Sequence, residues 1–153
     1  MAPNQIYVGV VGAGVANLAT DGPAEEVGRL LAERGAVVVC GGMTGVMEAA
    51  CRGAKSAGGT TIGILPTDDR GHANPYVDVA IATGMGEMRN ALIVRTVDVV
   101  VAVGGEYGTL SEIALALKIG RPVVTLGSWD LSADVVPASS PQEAAAQAFD
   151  LIS

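Results

Sequence analysis

Glu112 stands one turn into a helix that the sequence starts at Thr109, directly behind the run Val99-Val100-Val101-Ala102-Val103-Gly104-Gly105-Glu106-Tyr107-Gly108. A helix that begins just after a strand end presents unpaired N–H groups and a partial positive charge, which suits a phosphate. Gly104, Gly105 and Gly108 remove Cβ atoms where the backbone must turn sharply and where a ligand can approach the main chain. The chemistry proposed by these residues is the binding of a phosphorylated small molecule beside a carboxylate. Thr109-Leu110-Ser111-Glu112 also fits a capping box, in which a glutamate bonds back to the helix start. Glu112 therefore has both a chemical and a purely architectural reading.

A second turn of the same kind is Gly41-Gly42-Met43-Thr44-Gly45-Val46-Met47. Adjacent glycines at a strand end, followed by Thr44 at a helix start, make an anion-binding geometry or simply a tight turn with Thr44 as N-cap. Recurrence of the pattern at Gly104-Gly105 and Thr109 favours the ligand. The third turn, Gly12-Ala13-Gly14, invites comparison with dinucleotide sites and fails it. Asn17 occupies the third glycine position, and the second strand ends in Cys40 instead of an acidic residue for a ribose. Arg89 and Asn90 enter a helix before the fifth strand, where an arginine taken alone reads as solvated surface.

The elements that would position these residues alternate along the chain. Strands are expected at 6–11, 36–40, 60–65, 77–82, 98–103 and 122–126, with a short one near Val135. Helices are expected at 23–34 (Asp21 capping, Pro23 in the first turn), 44–57, 86–96, 109–119 and 141–152, the last capped by Ser140. Residues 67–75 form the longest irregular stretch. Such alternation implies an α/β fold: a Rossmann-like, doubly wound parallel sheet in a single three-layer α/β/α domain spanning 1–153. All three glycine turns then fall at carboxyl ends of strands, where these sheets bind ligands.

Composition narrows the function. Half of the 153 residues are hydrophobic but only 3% are aromatic, so valine, alanine, leucine and glycine must carry the core. A net charge of −7 with no basic run argues against a nucleic-acid partner, while leaving room for a single-phosphate site. Two cysteines, Cys40 and Cys51, and one histidine, His72, supply too little for a metal centre and read as core thiols and an isolated imidazole. No apolar run is long enough for a membrane span and no leader is evident, so the expectation is a cytoplasmic protein.

Taken together, the three motifs resemble the LOG family, nucleoside 5′-monophosphate phosphoribohydrolases long misannotated as lysine decarboxylases. Related Rossmann-like nucleotide-binding proteins and molybdenum cofactor carrier proteins form the wider group. The family's Pro-Gly-Gly-x-Gly-Thr-x-x-Glu motif corresponds to the segment from Val103 to Glu112, and its Tyr-Gly-Gly turn to the segment from Cys40 to Met47. Its Met-x-x-Arg-Lys segment corresponds to Met85-Gly86-Glu87-Met88-Arg89-Asn90.

The resemblance implies a catalytic pair, Arg89 and Glu112. It also implies a ligand and phosphate site made from Gly12, Gly14, Gly41, Gly42, Thr44, Met88, Asn90, Gly104, Gly105, Glu106, Tyr107, Gly108 and Thr109, with no metal. Hydrolysis of the N-glycosidic bond, releasing base and ribose 5-phosphate, would require no cofactor. The carboxylate would stabilise positive charge on the ribose and activate water, while the arginine holds the ligand. Val103 in place of proline, Asn90 in place of lysine and the chain length ally the sequence with the carrier-like branch. For that branch the implied function is non-enzymatic binding of molybdenum cofactor, a pterin. A lysine decarboxylase is rejected, because Lys55 and Lys118 lie on ordinary helix faces. The resemblance further implies a homodimer or higher homo-oligomer, for which an apolar helix such as 113–119 could supply the interface.

Overall fold

The computed structural model describes residues 4–152. Seven short segments form strands: β1 (Tyr7–Gly12), β2 (Val37–Cys40), β3 (Thr61–Leu65), β4 (Val79–Ala82), β5 (Val99–Val103), β6 (Val123–Leu126) and β7 (Val135–Ala138). They pair in parallel throughout, in the order β4-β3-β2-β1-β5-β6-β7. Helices α1 (Leu18–Glu33), α2 (Val46–Ser56) and α5 (Pro141–Ile152) cover one face; α3 (Asn90–Thr96) and α4 (Tyr107–Lys118) cover the other. The result is the expected Rossmann-like three-layer α/β/α architecture.

Strand β5 shows why valine runs suit the centre of such a sheet. Val99, Val101 and Val103 pack into the core beneath α1, α2 and α5, whereas Val100 and Ala102 pack with Ile93 of α3 and Ile113 of α4. All five residues of the strand are buried. A strand covered on both faces needs apolar side chains at every position, with branching at Cβ that fits the pleat. The pairing Gly12↔Val103 brings the ends of β1 and β5 level. Strand order reverses between these two strands, so the turns that follow them diverge and leave a crevice.

Close helix contact fixes the other wall of that crevice. A Cβ on Gly28 would lie 2.0 Å from the Ala50 carbonyl oxygen, and one on Gly53 1.8 Å from that of Glu25. The backbones of α1 and α2 therefore touch, which locks the N-terminus of α2 and the glycine turn before it.

Several boundaries differ from those the sequence suggested. Helix α1 starts at Leu18 instead of Pro23, because Asn17 is the N-cap: its Oδ1 accepts from the Ala19 N–H at 2.8 Å. Asp21, expected as the cap, lies within the first turn and its Oδ1 accepts from the Asn17 N–H at 3.3 Å. Helix α2 starts after Gly45, at φ +68°, so Thr44 is not its cap. The expected helix 86–96 divides into a 3-10 turn, Gly86–Arg89, and α3. Helix α5 has the expected bounds, with Ser140 Oγ accepting from the Glu143 N–H at 3.1 Å. The stretch 67–75 holds a 3-10 turn at Arg70–His72 and is anchored by Asn74, whose N–H donates to the Gly42 carbonyl and whose Nδ2 donates to that of Met43. In the segment 113–119, Ile113 and Ala116 face the sheet, while Leu115, Leu117 and Ile119 are partly buried. Among the described residues no helix is long and apolar enough to cross a membrane.

Candidate functional site

The crevice between the β1 and β5 turns is a cavity of about 270 Å³ that opens to solvent. Gly12, Ala13 and Gly14 form one wall, and Gly41 with Met47 another. Glu106, Gly108, Thr109 and Glu112 of the α4 region line a third side, and Glu87 and Arg89 of the 3-10 turn, with Asn90 at the start of α3 and Pro66, complete the lining. The three glycine turns thus converge as their positions at strand ends implied.

Nine of the residues singled out in the sequence line this cavity: Gly12, Gly14, Gly41, Arg89, Asn90, Glu106, Gly108, Thr109 and Glu112. The others stand around it. Gly42 backs onto Leu65, where a Cβ would come within 2.5 Å of Cδ2. Thr44 ties two walls together, its hydroxyl donating to the Gly14 carbonyl at 2.5 Å, while the Val46 N–H donates to the Ala13 carbonyl at 3.0 Å. Gly104 and Gly105 make the turn itself, at φ +57° and +112°, and a Cβ on Gly105 would collide with Thr109 Oγ1 at 2.4 Å. Gly108 does not turn the chain, being already helical; its bare Cα leaves the cavity side of the first turn open. Met88 and Tyr107 are exposed and do not line the cavity, each standing between two residues of the chain that do.

Glu112 is not a cap. Helix α4 begins at Tyr107 with Glu106 as N-cap, which puts Glu112 in the second turn, out of reach of the helix start. Its side chain is instead buried against Arg89, with Oε1 3.8 Å from Nη1. Arg89 Nη1 also donates to the Asn90 side-chain oxygen. Arg89 Nε and Glu112 Oε2 are buried without a hydrogen-bond partner. Without a Cβ, Gly41 makes room for the guanidinium, since an added methyl would stand 2.4 Å from Nη2.

Burial dominates the electrostatics of this pair. It pushes the Glu112 carboxyl up to about 7, with the Arg89 charge pulling the other way. It also lowers the Arg89 guanidinium from its ordinary value, against the attraction of Glu112. Both partners are driven toward neutrality, so desolvation outweighs attraction at this separation. A carboxyl titrating near neutrality can hold or release a proton at working pH, and the protein leaves the buried Nε and Oε2, a donor and an acceptor, without partners of its own.

Sequence reasoning missed Met47, Pro66 and Glu87 as cavity residues and Asn74 as the anchor of the neighbouring loop. Pro66 carried a readable signal, since it directly follows a strand that ends beside the glycine turns. Below the Gly41 turn, Cys40 and Cys51 are free buried thiols with their sulfurs 3.4 Å apart. No group of acidic, histidine or cysteine side chains suited to a metal ion exists among the described residues.

Comparison with known proteins bears on the fold and the family. A protein from Archaeoglobus fulgidus is 49% identical over 121 residues, covering 79% of this chain and 80% of its own. The structure of the molybdenum cofactor binding protein from the phototrophic bacterium Rippkaea orientalis superposes with a TM-score of 0.94 at 40% identity, over 99% of this chain and 100% of that one. The molybdenum cofactor carrier protein of Chlamydomonas reinhardtii superposes with a TM-score of 0.88 at 37% identity, over 97% and 99% of the two chains. A family model described as the SLOG cluster4 family matches residues 5–150. The chain therefore belongs to the SLOG cluster4 family, a LOG-like group.

Proposed function

We propose that this protein binds a phosphorylated heterocyclic ligand of the molybdenum cofactor class at the carboxyl edge of its sheet and holds it without chemical change. The observation that carries this reading is the buried Arg89–Glu112 pair beneath the open first turn of α4, with unpartnered polar atoms on both side chains. The first-turn amides of a helix have no intrahelical acceptor and receive an anion. Arg89 adds a fixed charge for a phosphate oxygen, and Glu112 Oε2 accepts from a ligand N–H. Similarity over the full chain to the molybdenum cofactor binding protein of R. orientalis supports the pterin class.

Anaerobic gel filtration with molybdenum cofactor tests this, followed by oxidation of the protein fraction and fluorescence detection of the pterin. Co-elution with wild type and its loss in Arg89→Gln are expected. Pterin found only at the small-molecule volume refutes the reading.

One observation favours a second reading, hydrolysis of a nucleoside 5′-monophosphate at its N-glycosidic bond. Burial pushes the Glu112 carboxyl up to about 7, a proton affinity suited to a group that activates water beside a ribosyl cation. Incubation with AMP, GMP, CMP, UMP and IMP decides it. Free base from wild type but not from Glu112→Gln establishes turnover, and none from either leaves a binding protein.

A further inference from the structure

Several exposed apolar side chains stand next in sequence to residues that line the cavity. The four most exposed large hydrophobic residues are Leu18 (99%), Tyr107 (81%), Met88 (73%) and Val15 (71%), and the next, Val79, falls to 49%. Tyr107, Met88 and Val15 each directly follow or precede a cavity residue, on three different segments. Of these, Tyr107 is flanked on both sides by cavity residues, Glu106 and Gly108.

The aromatic surroundings of Tyr107 are organised. Tyr107 stacks on Trp129 with ring centroids 6.2 Å apart and planes inclined by 28°. Trp129, the one tryptophan of a chain that is 3% aromatic, is held in place by its indole N–H, which donates to the Glu106 carbonyl at 3.1 Å. Its inner edge packs on the core while Tyr107 stays open to solvent. Cavity size supplies the second argument. At about 270 Å³ it falls below the roughly 300–1,000 Å³ of sites that enclose a whole drug-sized molecule. A ligand with its phosphate among Arg89, Thr109 and Gly108 has the flank of Glu106 and Tyr107 within reach of its ring system.

We infer that Tyr107, supported by Trp129, is a stacking shelf for the planar fused heterocycle of the ligand, a pterin or a purine, whose phosphate occupies the cavity. This rests on the ligand-binding reading above. Tyr107 offers an open ring face, and stacking on such a face tolerates any flat heterocycle while rejecting a ligand that lacks one. The shelf thus discriminates between phosphate esters that the cavity alone would bind alike.

Trp129 is its own reporter. Calorimetry and tryptophan fluorescence would be recorded together, with a pterin phosphate monoester, GMP and ribose 5-phosphate as probes. A ring-bearing probe is expected to quench Trp129 on binding, and ribose 5-phosphate is not. Tyr107→Leu should weaken the ring-bearing probes about tenfold, leave ribose 5-phosphate unchanged, and be restored by Tyr107→Phe. Binding heat without quenching, and with equal affinity in Tyr107→Leu, overturns the shelf and spares the proposed function. No heat from any probe overturns both. A change of sedimentation in Tyr107→Leu, with affinities intact, assigns Tyr107 to contact between protein chains and overturns the shelf.

Discussion

Glu112→Gln gives the sharpest test of the site's electrostatics. Burial raises the carboxyl from 4.5 to about 7, so the folded protein binds this proton more tightly than the unfolded chain does. Between those values the native state carries the extra proton, and stability falls as pH rises. The contribution is fully present below about 4.5 and fully lost above about 7. At roughly 1.4 kcal/mol per pH unit, the loss amounts to about 3 kcal/mol. Glutamine keeps the shape of the protonated carboxyl and cannot ionise. The difference in unfolding free energy, variant minus wild type, should therefore grow by about 3 kcal/mol between about pH 4 and pH 8. Urea denaturation followed by Trp129 fluorescence measures it, and taking the difference cancels every other titrating group. A difference that stays flat would show that Arg89 or water stabilises the carboxylate as well as bulk solvent does, and the argument from desolvation would fall.

Four further outcomes follow from the geometry. Arg89→Gln removes the charge that holds Glu112 down, so the carboxyl should titrate above about 7 in an NMR titration of the variant. Gly41→Ala places a methyl against the flexible ends of Arg89 and Met47, so it should fold within about 1 kcal/mol of wild type yet bind a phosphorylated ligand at least tenfold more weakly by calorimetry. Gly53→Ala meets backbone instead, at the Glu25 carbonyl, and should cost about 3 kcal/mol or more in urea unfolding. Asn17→Ala deletes the α1 cap and should cost about 1 kcal/mol by the same measurement.

The parallel sheet was legible because valine runs and glycine stops recur at the spacing of strand–helix units. Strand ends lie within two residues of their expected positions, and α5 was readable to the residue from Ser140 and Pro141. Helix starts were harder. Proline at a first turn is a strong local signal, yet the Asn17 side chain caps the Ala19 N–H upstream of Pro23 and decides where α1 begins. At α4 the sequence Thr-Leu-Ser-Glu imitates a capping box, but the Gly104-Gly105 turn finishes early and the helix is already running at Tyr107. The convergence of Gly12, Gly41 and Gly108 on one cavity followed from topology. The burial of Arg89 did not, because an arginine on a short helical segment reads as surface until Gly41 and Glu112 are seen to enclose it.

The two hydrogen bonds that join Ala13 and Gly14 to Thr44 and Val46 have a consequence for how fast and how tightly a ligand is held. They make the turns after β1 and β2 one body, braced from behind by the backbone contact of α1 with α2. The entropy of ordering these walls is met once, when the chain folds, and is not charged again to each binding event. On the proposed reading, association needs only entry through the mouth, and affinity is set by the dwell time of the ligand on Arg89 and on Tyr107. A preformed vessel of this kind releases its contents when a contact is withdrawn, without any part of the backbone having to open.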